Sequence, residues 1–237
     1  MNDIATAIDD RDHRTRTAEK RRSAMRRRLV ESAMVVFAEK GADATVIDDV
    51  IRAAEVSRGT FYKYFASIHD LMVAVSEELG NELLAYVEER VSTIPDPVER
   101  VALGLRLFIN TALAFPLFAS FIRASGLEAA GPTTLIYEYL PAHLTEAIDQ
   151  GLLLDAPLAV HLDLITGVVL ICIARQGADT LEPEHIRQVV ASIMRGLGLP
   201  ADDAWRIANN DIAPLGIPED SLLMRAHRRL ATIERLQ

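Results

Sequence analysis

Six histidines and a single cysteine are the side chains here best suited to metal or covalent chemistry, and their spacing gives them little to do. Glu182 and His185 stand three apart, which is half of a di-iron carboxylate motif. That site needs a second such pair and two further carboxylates, and only Asp10 and His13, near the N-terminus, repeat the spacing. Pro183 inside the pair marks a helix start instead. His69, His161 and His227 are isolated, no serine sits in a nucleophile-elbow pattern, and no glycine-rich loop prepares a phosphate site. Cys172 lies in an apolar run and reads as a buried small hydrophobe, so neither a disulfide framework nor a reactive thiol is expected. The expectation is a protein that is not an enzyme, with no catalytic residue, no metal site and no cofactor.

A different chemistry is concentrated in VSRGTFYKYF, residues 56–65. Ser57 and Thr60 can donate hydroxyl hydrogen bonds to phosphate, Arg58 can reach a base edge, and Gly59 lets backbone approach backbone. Tyr62, Lys63 and Tyr64 can reach phosphates or bases with their polar ends, whereas Phe61 and Phe65 are assigned to the core beneath. The charge agrees with a polyanion at this end of the chain. The net charge is -9, yet residues 1–65 hold 13 Lys and Arg against 11 Asp and Glu, while residues 66–237 hold 12 against 23. Arg14, Arg16, Lys20, Arg21, Arg22, Arg26, Arg27 and Arg28 form a basic block interrupted only by Glu19.

The elements that must position these groups are helices. No segment alternates apolar and polar residues between hairpin turns, and helical spacing recurs throughout, so the fold class is all-α. A first helix is expected from residue 18 or 22 to 40, burying Leu29, Ala33, Val36 and Phe37 and ending at Gly41. Thr45, three residues before Asp48, predicts the cap of a short second helix ending near Ala54, with Glu55 and Val56 in the turn. Ser57 caps a third helix of about two turns, and Ser67 with Asp70 a longer fourth one. Short helix, tight turn and second short helix, backed by a preceding helix, is helix-turn-helix geometry, in which the second helix enters a major groove.

Asp96 and Pro97 open a fifth helix near 97–114; further helices are expected near 116–125, 132–150, 156–177 and 183–197, then around 202–210 and 219–236. Pro141 is expected to kink or divide the helix at 132–150. The domain reading is a basic, flexible arm over 1–21, a helix-turn-helix domain over 22–66, and a larger helical domain over 67–237, with the helix at 67–91 linking the two. The longest apolar run, 164–174, is too short to span a bilayer, and the N-terminus lacks a signal-peptide core. A cytoplasmic protein with no membrane partner is expected.

Residues 22–79 resemble the N-terminal DNA-binding domain of the TetR family of transcriptional regulators. Gly41, Thr45, Ser57, Gly59, Thr60, Tyr62, Phe65, Ser67 and Leu71 stand at the positions of that family's pattern. Three positions depart from it: Glu55 replaces the turn glycine, Ile68 a lysine, and Tyr64 a common histidine. A left-handed Glu55 or a shifted turn would accommodate the first. The resemblance implies DNA contacts from Arg28, Thr45, Ser57, Arg58, Gly59, Thr60, Tyr62, Lys63, Tyr64 and Ser67.

For the C-terminal half the resemblance implies a small-molecule cavity lined by Phe108, Phe115, Phe118, Phe121, Ile122, Tyr137, Tyr139 and His143. It also implies a two-fold helical dimer interface through Leu162, Ile165, Val169, Ile186, Val190, Ile193 and Leu197. The function so implied is a homodimeric, ligand-responsive regulator that binds double-stranded DNA, a repressor released from a palindromic operator by a small apolar or amphipathic effector. Two alternatives stay open: a DNA-binding regulator that answers to a protein partner or acts as an activator without a ligand, and, more remotely, an α-helical enzyme or carrier.

Overall fold

The computed structural model describes residues 2–41, 44–125, 136–175 and 182–234. The described residues form eleven helices and no strand, in two compact units, Met1–Leu71 and Met72–Gln237.

The first unit holds α1 (Asn2–Lys40), α2 (Ile47–Ala53) and α3 (Arg58–Tyr62). No proline or glycine occurs before Gly41, and alanine and arginine are frequent, so nothing breaks α1 on its way back to Asn2. Residues 2–21 of the expected arm are therefore part of one continuous helix. Gly41, at φ +83°, stops it, its amide donating to Phe37 O at 2.9 Å. Leu29, Val30, Ala33 and Phe37 of α1 are buried, as are Val50, Ala54, Phe61, Phe65 and Leu71. These apolar groups make a small core that turns the outer sides of α2 and α3 toward solvent.

Thr45 does not cap α2. The helix begins one residue later, with Asp49 Oδ2 accepting from Val46 N at 3.3 Å, while Thr45 is buried and donates its hydroxyl to Gly41 O at 2.8 Å. At the other end Val56 N donates to Ile51 O (3.0 Å) and Glu55 N to Arg52 O (3.3 Å), the paired bonds of a Schellman motif. That motif requires a left-handed residue, and Glu55 supplies it at φ +51° without being glycine.

In the second unit α4 (Ile68–Val91), which starts at the end of the first unit, is followed by α5 (Pro97–Ala114), α6 (Pro116–Ser125), α7 (Ile136–Asp149), α8 (Leu158–Ala174), α9 (Pro183–Gly196), α10 (Ala201–Ala208) and α11 (Leu222–Glu234). Residues 132–135, 176–177 and 235–236 of the expected helices lie outside the described residues, as do Gly126 and Gly131. Pro141 does not divide α7, which continues through it to Asp149.

Asp96 caps α5, accepting from Val98 N at 2.8 Å and Glu99 N at 3.2 Å, with Pro97 at the first helical position. α5 is the central element and packs against α6, α7, α8, α9 and α10. The tail returns to it: Arg106 Nη1 donates to Ala208 O (2.7 Å) and Asn210 O (2.6 Å), satisfying carbonyls at the end of α10. Glu82 of α4 accepts from Leu222 N (2.8 Å) and Leu223 N (3.0 Å), so a side chain from another helix caps α11. Among the described residues no single helix is long and apolar enough to cross a membrane.

Candidate nucleic-acid interface and buried cavity

α3 owes its position to Phe61 and Phe65, both buried with ring centroids 6.1 Å apart. The Arg26 guanidinium lies 5.7 Å from the Phe65 centroid and packs over its face. Ser57 caps the helix by accepting from Thr60 N at 3.0 Å, and the two hydroxyl oxygens are 2.9 Å apart. One residue in four faces inward, so Ser57, Arg58, Gly59, Tyr62 and Lys63 are exposed together. Thr60, Tyr64 and Ser67 are half-buried. An added Cβ at Gly59 would meet only Ser57 Oγ, at 3.8 Å, so this glycine leaves the exposed face flat rather than relieving an internal clash.

Of the expected DNA contacts, the structure thus groups Ser57, Arg58, Gly59, Tyr62 and Lys63 on one exposed surface, with Thr60, Tyr64 and Ser67 at its margin. Thr45 is corrected: at 4% exposure its hydroxyl props the turn before α2 and has no access to a ligand. Arg28 lies on the surface of α1, Nη2 to Glu55 Oε2 3.1 Å. Arg58 is paired with Asp48 of α2, and both side chains remain about half exposed. Sequence reasoning missed Asp48 in this role, because its spacing from Arg58 has no meaning until the turn folds α3 back on α2.

In the second unit α4, α5 and α7 line a half-open cavity of about 60 Å³. Gly104 makes room for it: a Cβ there would meet Val87 Cγ1 at 3.5 Å. The walls are mostly Leu, Val, Ile and Phe, with Val169 of α8 at one side. Of the expected lining, Phe108, Tyr139 and His143 are present. Phe115, Phe118, Phe121 and Ile122 are buried but do not line it, and Tyr137 is exposed. Phe118 stacks edge-on against Phe108 from behind, at 6.3 Å, and Phe115 does the same against His227 at 5.3 Å. These aromatic rings are core.

The polar groups of the cavity are Glu88, Arg100, Tyr139 and His143. His143 Nε2 and Glu88 Oε2 are 2.9 Å apart, and Arg100 pairs through Nη2 with Glu146. Arg100 Nη1 donates to Ile94 O at 3.3 Å, while its Nε is buried with no hydrogen-bond partner. Glu88 and Arg100 were not anticipated, although a signal existed. Leu84, Glu88 and Val91 share one face of α4, and Arg100, Gly104 and Phe108, spaced by four, share one face of α5.

The expected interface residues face the wrong way. Leu162, Ile165 and Val169 of α8, Ile186, Val190 and Ile193 of α9, and Leu197 after it are all buried inside the protomer. The outer side of α8 carries Val160, Gly167, Val168 and Ile171 instead, with Val160 55% and Ile171 65% exposed.

Comparison with known proteins bears on the first unit most directly. The family described as bacterial regulatory proteins, tetR family, matches residues 29–75. An uncharacterized HTH-type transcriptional regulator of Bacillus subtilis (strain 168), YvdT, is 34% identical over 64 residues, 27% of this chain and 33% of that one. The HTH-type transcriptional repressor DhaR of Mycobacterium sp. (strain GP1) is 32% identical over 92 residues, 38% of this chain and 46% of that one. The matches thus span less than half the length of either relative. Among solved structures, RolR in complex with resorcinol is similar with a TM-score of 0.74 at 22% identity, over 84% of this chain and 100% of that one. A TetR-family regulator from Pectobacterium atrosepticum follows at 0.58 and 24%, over 74% and 96%. Residues 29–75 of this chain are thus similar in sequence to bacterial regulatory proteins of the tetR family, and over the rest the likeness to the solved structures is one of fold.

Proposed function

We propose that this protein is a homodimeric repressor that reads a palindromic operator through α3 and is released from it by a small apolar or amphipathic effector bound between α4, α5 and α7. The observation that carries this reading is the pairing, in one chain, of an exposed α3 face bearing Arg58, Gly59, Tyr62 and Lys63 with an apolar cavity in the second unit. The cavity is also what favours a small molecule over a protein partner as the signal. At about 60 Å³ its volume favours a compact molecule. RolR was solved with resorcinol, and a FadR from Bacillus subtilis, TM-score 0.53, with stearoyl-CoA. The second of these ligands is much longer than the space here.

In this reading Arg58 specifies, exchanging Asp48 for a base edge on binding, and Lys63 supplies phosphate contact. A second copy docks on the apolar outer face of α8, placing two α3 helices for half-sites about 34–36 Å apart. Effector binding shifts the population toward a form whose α3 spacing no longer fits the groove, and α4, shared by both units, is the path of coupling. The protein acts on DNA in the cytoplasm.

The test is selection of random duplex DNA by the purified protein, read by sequencing. An inverted repeat is expected. Arg58→Ala should lower affinity for that repeat more than for random duplex, whereas Lys63→Ala should weaken both and flatten the salt dependence by about 0.9 per lost phosphate contact. Enrichment of no sequence by a folded dimer would sink the operator reading.

A further inference from the structure

We infer that the cavity selects neutral ring compounds carrying hydroxyl groups and rejects carboxylates of the same size. This rests on the effector reading above and assigns a chemical class to the effector. Against mostly aliphatic walls, the ionisable groups lining the space are Glu88 from α4, Arg100 from α5, and Tyr139 and His143 from α7. The guanidinium of Arg100 is matched by the carboxylate of Glu146, and Glu88 has only His143 beside it. Two carboxylates therefore face one guanidinium and at most one imidazolium. No cation is left over for an anionic ligand in either protonation state of His143, and a ligand carboxylate would sit near Glu88 without a counter-charge.

A hydroxyl suits Glu88 instead. Arg100 offers a ligand no free donor: Nη1 donates to Ile94 O, Nη2 pairs with Glu146, and Nε is buried out of reach. Glu88, whose carboxylate has the imidazole of His143 at 2.9 Å on one oxygen, can accept a second hydrogen bond from a ligand O–H. One hydroxyl can both accept and donate, whereas a carboxylate can only accept and an alkyl group can do neither. A buried site built to hydrogen-bond a hydroxyl discriminates strongly against an analogue lacking it, because its own polar groups are then left unpaired.

The experiment is isothermal titration of the full chain at pH 7.5 with four ring-sized probes: phenol, 1,3-dihydroxybenzene, toluene and benzoate. The two phenols are expected to bind, with toluene about tenfold and benzoate about a hundredfold weaker than 1,3-dihydroxybenzene. Glu88→Gln should narrow the gap between benzoate and 1,3-dihydroxybenzene by about tenfold. Benzoate or toluene binding to the wild-type chain as tightly as 1,3-dihydroxybenzene, or neither phenol binding at all, overturns the inference without reference to any variant, so poor folding of Glu88→Gln leaves the test intact. Operator release is measured separately. Phenol binding that leaves DNA affinity unchanged defeats the effector role and keeps the selectivity, whereas release by benzoate does the reverse.

Discussion

Gly198 offers the sharpest test of the packing that supports the second unit. It lies just beyond α9 at φ +108°, and a Cβ added there would meet Leu154 N at 2.8 Å and Leu154 Cβ at 3.0 Å. The backbone it would strike is held on both sides. Leu154 N donates to Leu197 O at 2.8 Å, and Leu154 O accepts from the buried His161 Nε2 at 2.9 Å. Gly198→Ala therefore incurs two costs. A non-glycine residue at positive φ costs about 1–2 kcal/mol, and moving Leu154 aside costs a hydrogen bond of about 1 kcal/mol or more. The sum, about 2–4 kcal/mol, is a large part of the 5–15 kcal/mol typical of a folded domain. Gly151 provides the control. Its φ is +69°, but an added Cβ meets nothing within 4 Å, so Gly151→Ala should show the strain alone. Urea unfolding followed by the fluorescence of Trp205, the one tryptophan of the chain, reads the second unit directly. Equal losses for the two alanine variants would show that the contact with Leu154 has no energetic weight and that this reasoning is wrong.

Glu55→Gly should stabilise the first unit by about 0.5 kcal/mol, since relief of left-handed strain exceeds the entropy glycine adds to the unfolded chain; the exposed ion pair with Arg28 offsets little of it. A fall in the melting temperature of Glu55→Gly would contradict the strain assignment. Burial pushes the Cys172 thiol above its ordinary range, so the native protein should resist a thiol reagent at pH 8 and react fully once unfolded. Ile171→Glu should convert a dimer to a folded monomer in light scattering after size exclusion, while an unchanged mass would move the interface off α8.

The bounds of α5 were legible to the residue because Asp96, Pro97 and Pro116 carry local signals whose effect is complete within one turn. Ser57 and Ser67 were legible for the same reason, each accepting an amide three residues on, at 3.0 Å. Thr45 misled because its hydroxyl had two local acceptors or donors to choose from and turned back to Gly41 O. The cavity was harder to read. Aromatic content marks burial without saying what lies on the far side of the ring, and Phe115, Phe118 and Phe121 found other side chains there. A charged residue on an otherwise apolar stripe is the better signal, as Arg100 and Glu88 show, since burying such a group demands a partner across the space.

α8 shows where periodicity stops being informative. From Leu158 to Ala174 its charged side chains amount to Asp163 alone, and both its faces are apolar, so the pattern says that the helix is covered all round without saying by what. Burial resolves one half of the question: Leu162, Ile165, Val169, Cys172 and Ile173 pack inside the protomer. The other half, Val160, Val168 and Ile171, stays open around Gly167, where an added Cβ would meet nothing within 4 Å, while Leu164 beside it packs on Gly196 of α9. A glycine that has no internal reason to be small leaves room for the close approach of another helix. That stripe fits a two-fold contact between copies of α8, in which each residue meets its own symmetry neighbour or one turn away. Leu162, Ile165 and Val169, first expected at the interface, and the residues of α8 that remain available for it therefore lie on opposite sides of the same helix.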